Sequence, residues 1–300
     1  MTVNNISAFI DNTSKRDKRN KLFLALVIIM SVLTVIPIFF ILGKIIISGI
    51  GQINFNFFVK TSPDSLQAMT AIANHQIIPG GIANGITGTF IIVLMSSVMA
   101  IPAGMMIGIY LYENQGHRYS NLLRNLSEIL QGIPSIVLGI ISYLWIVKNI
   151  TDGFSAFAGS ISLSIMMLPL IIRSTEETMK MIPNEIREAA FAMGAPYHSI
   201  ILKILIPTGL SGLTTGILLS LSRVLGETAP LMMTALGNSA INYNITKPTS
   251  AVPLLIWEFY NDPNMVRLVW SSALFLVVLV LTLNILSRRI AARTGNGKRR

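Results

Sequence analysis

Two arginines stand in largely apolar stretches of this sequence, and each has a carboxylate four residues further on. Arg223 and Glu227 lie within IPTGLSGLTTGILLSLSRVLGETAPLMMTALG, and Arg173 and Glu177 within LPLIIRSTEET. Residues four apart share a helix face, so each carboxylate can neutralise its arginine. A guanidinium never loses its charge, and its planar fork matches two oxygens of an oxyanion. The chemistry open to such a pair is reversible anion binding, with the carboxylate balancing the charge of the empty site. A conduit needs exchangeable binding of this kind, because a very tight site would not release its ion. Ser222 and Thr228 stand beside the first pair as candidate hydroxyl donors. A plainer reading stays open at both places. Arg223–Glu227 can be a self-neutralised pair that holds helices together, and Arg173 can be an anchor whose head reaches back to the headgroup boundary.

Other chemistries find little support. The chain has no cysteine, which excludes disulfides, thiolate metal sites and thiol catalysis. His75, His117 and His198 are scattered and share no ligand spacing, so no metal site is expected. There is no G-x-S-x-G nucleophile elbow. There is also no G-x4-G-K-[ST] phosphate loop; Gly297-Lys298 comes nearest, with Ala292 where the first glycine belongs. Arg124 and Glu128, again four apart, read as an ion pair at a membrane interface rather than a gate.

A second region of interest is IPNEIREAAFAMGAPYHSIILKILIP, Ile182 to Pro207, punctuated by Pro183, Pro196 and Pro207. Proline suits the first turn of a helix and stops the one before it. Gly194 sits where a helix end needs a positive φ. Two short helices are therefore expected, over 184–193 and 196–206. The first is amphipathic, with Ile186, Ala189, Ala190 and Met193 at i, i+3, i+4 and i+7. It reads as a stiff knob that either packs beneath its own bundle or docks a partner.

The elements that hold these residues are membrane helices. The chain is 52% hydrophobic and 12% charged over 300 residues, with a mean hydropathy of +0.65. Soluble domains carry about 25% charged residues, and about 20 apolar residues cross a bilayer as a helix. Six spans are expected, at 22–47, 84–111, 122–147, 156–178, 207–236 and 265–287. The domain layout that follows is a basic N-terminal tail (1–21), a first span with its outer loop (22–83), a five-span core with the loop 183–207 (84–287), and a basic C-terminal tail (288–300). A helix starting near Pro207 puts Arg223 about 24 Å along at 1.5 Å per residue, past the middle of the hydrocarbon. An unpartnered Arg there costs about 2.5–3.5 kcal/mol on insertion scales and belongs against protein or water. With both termini in the cytoplasm, 17 of the 23 Lys and Arg fall inside and five outside, which favours that orientation. The net charge of +10 clusters at the two ends, a pattern for topology and anionic headgroups rather than nucleic acid. No cleaved signal peptide is expected, because the first residues lack a short apolar core with a small-residue cleavage site.

The loop also carries a resemblance. Glu188-Ala189-Ala190-x3-Gly194-x9-Ile204-x2-Pro207 looks like the EAA loop of binding-protein-dependent ABC importer permeases, with Ile206 where that pattern has Leu. Pro169-x3-Arg173-Ser174-Thr175-Glu176-Glu177, Gly132-x-Pro134-Ser135-Ile136-Val137-x-Gly139 and Gly226-Glu227-Thr228-Ala229-Pro230-Leu231 resemble the phosphate-specific importer permeases of the PstA type. The matches together cover residues 84–236. The resemblance implies an all-α, six-span type I permease in a bacterial inner membrane, importing inorganic phosphate. It implies Glu188, Ala189, Ala190 and Gly194 as the residues coupled to the ATPase, and it supports the reading from charge and spacing that puts Arg223, Glu227, Arg173, Thr228 and Ser222 along the anion path. It further implies a second six-span permease as heterodimer partner, an ATPase dimer that uses ATP and Mg while this chain needs no cofactor, and an extracytoplasmic phosphate-binding protein. A permease for sulfate or molybdate, a membrane scaffold or signalling subunit, and an ion-coupled transporter are the competing readings; the EAA-like loop disfavours the last two.

Overall fold

The computed structural model describes residues 3–296. Its helices are α1 (Val3–Gly49), α2 (Phe55–Val59), α3 (Ser65–Ala73), α4 (Ala83–Glu113), α5 (Arg118–Gly132), α6 (Ser135–Ser142), α7 (Ala156–Lys180), α8 (Asn184–Ala192), α9 (Tyr197–Ser199), α10 (Ile206–Val224), α11 (Ala229–Thr234), α12 (Val252–Tyr260) and α13 (Val266–Asn296). Among the described residues the only β feature is a bridge between Leu236 and Thr249. Two compact units are distinguished, one ending at Ser48 and one starting at Gly49. The last four residues of the basic stretch expected at 288–300 lie outside the described residues.

The first unit is α1 alone. No glycine or proline interrupts it before Pro37, so the helix continues back through the basic segment expected as a tail. Its apolar surface from Leu22 to Leu42 is exposed, as a lipid-facing span requires.

In the second unit, α4 and α7 form the centre. Gly104 and Gly108 of α4 let Ile171 and Thr175 of α7 come within touching distance of the α4 backbone. On another side of α7, Gly209, Gly212 and Gly216 of α10 receive Thr178 and Ser174. Small residues at such contacts are how membrane helices associate, since lipid tails leave no hydrophobic drive between them. Leu163, Met167 and Ile171 of α7 are fully buried as a result.

At one end of this bundle sits a cap. The loop expected at 48–83 folds there, with α2 capped by the Asn54 side chain and Phe57, Ala68, Ile78 and Ile82 buried against Val252, Leu255 and Phe259 of α12. Asp262 joins α12 to the cap. Its carboxylate lies below its ordinary range because the Ser65 hydroxyl and the Asn264 N–H donate to it. A strap, residues 235–251, crosses the cap end. Its Lys247 and Ile245 carbonyls accept from the Ala156 and Phe157 N–H groups, which the start of α7 would otherwise leave bare. At the other end α8, α9 and the π-helical turn Ile200–Leu205 pack as a knob on Tyr112 and Met179.

Three expected helices change shape. The span expected at 122–147 is a pair, Arg118–Gly132 and Ser135–Val147, bent by 103°. Pro134 forces Ile133 out of the helical region, to φ −72 and ψ 129, and ends α5. Among the described residues five helices are long and apolar enough to cross a membrane, and counting the bent pair as one span gives six. The helix expected at 196–206 is not separate from the span after it, since Tyr197–Val224 runs as one rod of 28 residues. The wide turn just before Pro207 gives its ring room that a regular helix would deny. That rod stops at Val224 rather than reaching 236, and α11 begins anew with Pro230 in its first turn.

The strap makes the closest approach to α4. A Cβ on Gly88 would collide with the Ser250 carbonyl oxygen and with Thr249, whereas one on Gly43 would meet nothing within 4 Å. Gly88→Val is expected to lower apparent stability by about 1–3 kcal/mol through overpacking, and Gly43→Val to leave it within about 0.5 kcal/mol. Thermal unfolding of the two variants in detergent checks the contrast.

Candidate functional site

The site begins where α10 ends. Arg223 lies in its last turn with its side chain 46% exposed, and its Nε stands 3.9 Å from Glu227 Oε1. This is a loose pair at the edge of an ionic contact. Between them the chain leaves the helix by short turns, with Gly226 N–H donating to the Arg223 carbonyl and Glu227 N–H to that of Val224. Irregular backbone at membrane depth is tolerated where it is covered by protein or lines a polar cavity. A half-exposed guanidinium at such a break therefore faces water or a partner chain rather than lipid.

The neighbours of this pair are mixed. The Ser222 hydroxyl donates to the Leu218 carbonyl at 2.8 Å and lies 3.4 Å from Asn284 Oδ1, so it is already engaged. Thr228 stands at the start of α11 with no side-chain cap bond, which leaves its hydroxyl available. The short α11 is seated on Gly139 of α6, where a Cβ would come 2.7 Å from Pro230 Cα, and on Gly159 of α7. The G-x-PS-x-V-x-G and GETAP segments, about ninety residues apart, are thus one contact in space.

The second arginine tells more about how a helix sorts its residues. Arg173 Nε donates to Glu177 Oε1 at 2.9 Å, and both side chains are more than half exposed. Each following residue turns by about 100° to a different neighbour. Ser174 and Thr178 meet the glycines of α10, and Thr175 meets Gly108 of α4. Glu176 is buried and accepts from Arg124 Nε and Nη2 of α5 at 3.0 and 2.7 Å, and from Lys180 Nζ at 2.6 Å. The pairing of α10 with α7 at Gly216–Ser174 and Gly212–Thr178 sets an antiparallel register. It puts Arg173 and Arg223 about 9 Å apart along the bundle, six residues at 1.5 Å each.

Arg124 is the clearest difference from expectation. It does not pair with Glu128. Its Nη2 spans from Glu176 to the Leu111 carbonyl at the end of α4. The break at Pro134 turns α5 across the bundle, and that turn brings Arg124 to α7. Glu176 is therefore a functional candidate that spacing alone passed over, although its i,i+4 relation to Lys180 was there to be read.

At the knob, Gly194 has φ +76, the left-handed conformation expected for it. Glu188 and Ala189 are exposed, while Ala190 is 7% exposed and packs with Met179, Ile200 and Leu205. Ile186 and Met193, expected on the same apolar face, are exposed too, Met193 by 86%. The face is left open by this chain.

The fold and this arrangement define a class: a multi-span helical membrane protein with paired charges along its helices, one pair at a helix break, and an open knob at one end. Residues 100–296 match the family described as binding-protein-dependent transport system inner membrane component, and the chain belongs to that family. It is 34% identical to the phosphate transport system permease protein PstA of Yersinia pestis, over 93% of this chain and 92% of that one. Against the protein of the same name from Haemophilus influenzae it is 32% identical, over 91% and 94%. Among solved structures it resembles a chain of a bacterial alginate ABC transporter with a TM-score of 0.63 at 14% identity, covering 93% and 96%. A chain of the MetNI methionine ABC transporter follows at 0.58 and 22%, covering 70% and 94%.

Glu176→Gln leaves two cations with one neutral partner. Breaking a buried ion pair from one side costs about 3–5 kcal/mol, and Arg124 and Lys180 keep enough water contact to bring the expected loss to the lower end of that range. Thermal unfolding should register it, and Glu128→Gln, which weakens only a charge interaction with the exposed Arg173, should change stability far less.

Proposed function

We infer that the chain is the membrane-spanning permease subunit of an ATP-driven importer, and that the ion it passes is inorganic phosphate. The observation that carries this reading is the half-exposed Arg223, held only loosely by Glu227 at an interrupted helix. The names of the relatives aligned over nine-tenths of the chain support phosphate as the ion. Arg173 and Glu177, exposed on α7 and nearer the knob, serve as a second charge along the same path. Thr228 supplies a hydroxyl donor; Ser222 holds the end of the rod to Asn284.

The chain is a transport subunit and works with the other components of an ABC importer. ATP and Mg are used by a separate ATPase dimer, and this chain requires no cofactor of its own. Glu188 and Ala189 couple to that ATPase through the open face of α8, while Ala190 seats the helix on the bundle and Gly194 sets the turn that follows it. A second six-span permease completes the path opposite Arg223, and a phosphate-binding protein delivers the anion at the cap end. With the knob in the cytoplasm, both termini are cytoplasmic and the membrane is the bacterial inner membrane.

Charge-assisted hydrogen bonds are worth about 1.5–3 kcal/mol each, so Arg223→Gln should cut phosphate uptake about ten- to a hundredfold while the complex still assembles. Uptake of labelled phosphate by membrane vesicles carrying the partner subunits measures it, and normal uptake would defeat the anion-path role. Gly194→Val places a β-branched residue at positive φ, a strain of about 1–3 kcal/mol. The ATPase should then be lost on co-purification and retained with Gly194→Asn.

A further inference from the structure

Glu113 is the last residue of α4, and only 7% of its side chain is exposed. Its Oε2 receives Arg187 Nη2 of α8 at 2.7 Å, while Oε1 is buried and makes no hydrogen bond within the chain. The Arg187 guanidinium lies 5.9 Å from the Tyr112 ring and 5.7 Å from the Phe191 ring, within reach of a cation–π contact with each. The phenol of Tyr197, at the start of the rod that ends by Arg223, also interacts with the Glu113 carboxylate. Three elements of the knob end thus meet at one buried carboxylate: the longest helix of the central pair, the knob helix, and the foot of the rod.

We propose that Glu113 and Arg187 are positioning residues for energy coupling, a strut that makes α8 and α4 move as one body. The proposal rests on the permease reading given above. Its physical basis is the asymmetry of the pair. If Arg187 withdrew, the carboxylate would remain buried with one oxygen already bare, so separating the two is far more costly than moving them together. Apolar contact alone would allow sliding: Ala190 shares one apolar cluster with Tyr112 of α4, and such surfaces shift by small steps. A charge-assisted bond fixes direction as well as distance. Arg187 immediately precedes Glu188, so a push on the exposed face of α8 reaches α4 through the very next residue.

The test uses the assembled importer in proteoliposomes, with the phosphate-binding protein inside the assay. Glu113→Gln is expected to retain its ATPase on purification and to hydrolyse ATP within about twofold of wild type without binding protein. Its phosphate uptake per ATP should fall at least about tenfold, and stimulation by the binding protein should be lost. Exchange of the pair, Glu113→Arg with Arg187→Glu, should recover at least about a third of the wild-type ratio, which shows that the pair and not the carboxylate alone is needed. An unchanged uptake-to-hydrolysis ratio in Glu113→Gln overturns the strut. Should that variant yield no complex, the exchanged pair decides: coupled transport supports the proposal, and failure of both overturns it. Wild-type vesicles that hydrolyse ATP without taking up phosphate would remove the substrate reading alone. The strut is then judged on stimulation by the binding protein, which Glu113→Gln should abolish and the exchange restore.

Discussion

The structure depends on how closely α4 and α10 approach α7. Glycines at 104 and 108 on one neighbour, and at 209, 212 and 216 on the other, bring backbone against side chain with nothing between. In lipid this contact replaces the hydrophobic drive that would pack the same helices in water. It also fixes rotation, because a helix gripped on two sides cannot turn about its axis. Only then can consecutive residues of α7 be given to different partners, with Thr175 inside, Glu176 against α5, and Arg173 and Glu177 left on an open face.

The breaks are as necessary as the contacts. Pro134 turns α5 across the bundle and allows Arg124 to reach a carboxylate on α7. The interruption after Val224 leaves Arg223 in the last turn of its helix and seats Pro230 on Gly139. Both breaks fall within segments apolar enough to be read as uninterrupted spans, and both occur where neighbouring helices or polar groups take up the freed backbone.

Much of this was legible in the residues. The apolar lengths place five of the expected spans, and the three prolines and Gly194 place the knob. What was not legible is informative. Pro134, Gly226 and Pro230 each signal a possible break, yet an apolar run on both sides reads equally well as a kinked helix, because hydropathy does not register direction. Arg124 shows the same limit for charge: with Glu128 four residues on, local spacing suggests one partner, and only the 103° bend selects Glu176 instead. Arg187 and Glu113 are 74 positions apart and carry no periodic signature at all. The glycines of α10 were readable in principle, since small residues recur there at three- and four-residue spacing.

The unbroken rod from Tyr197 to Val224 has a mechanical meaning. It has its foot among the knob helices and its tip beside the loosely held guanidinium, about 39 Å away at 1.5 Å per residue. An arm of that length multiplies angle into distance, so if it moves as one body, tilting its foot by about 5° swings the tip by roughly 3 Å, the length of a single hydrogen bond. A small rocking of the knob is therefore enough leverage to make or sever one contact of the guanidinium, without any part of the rod unwinding.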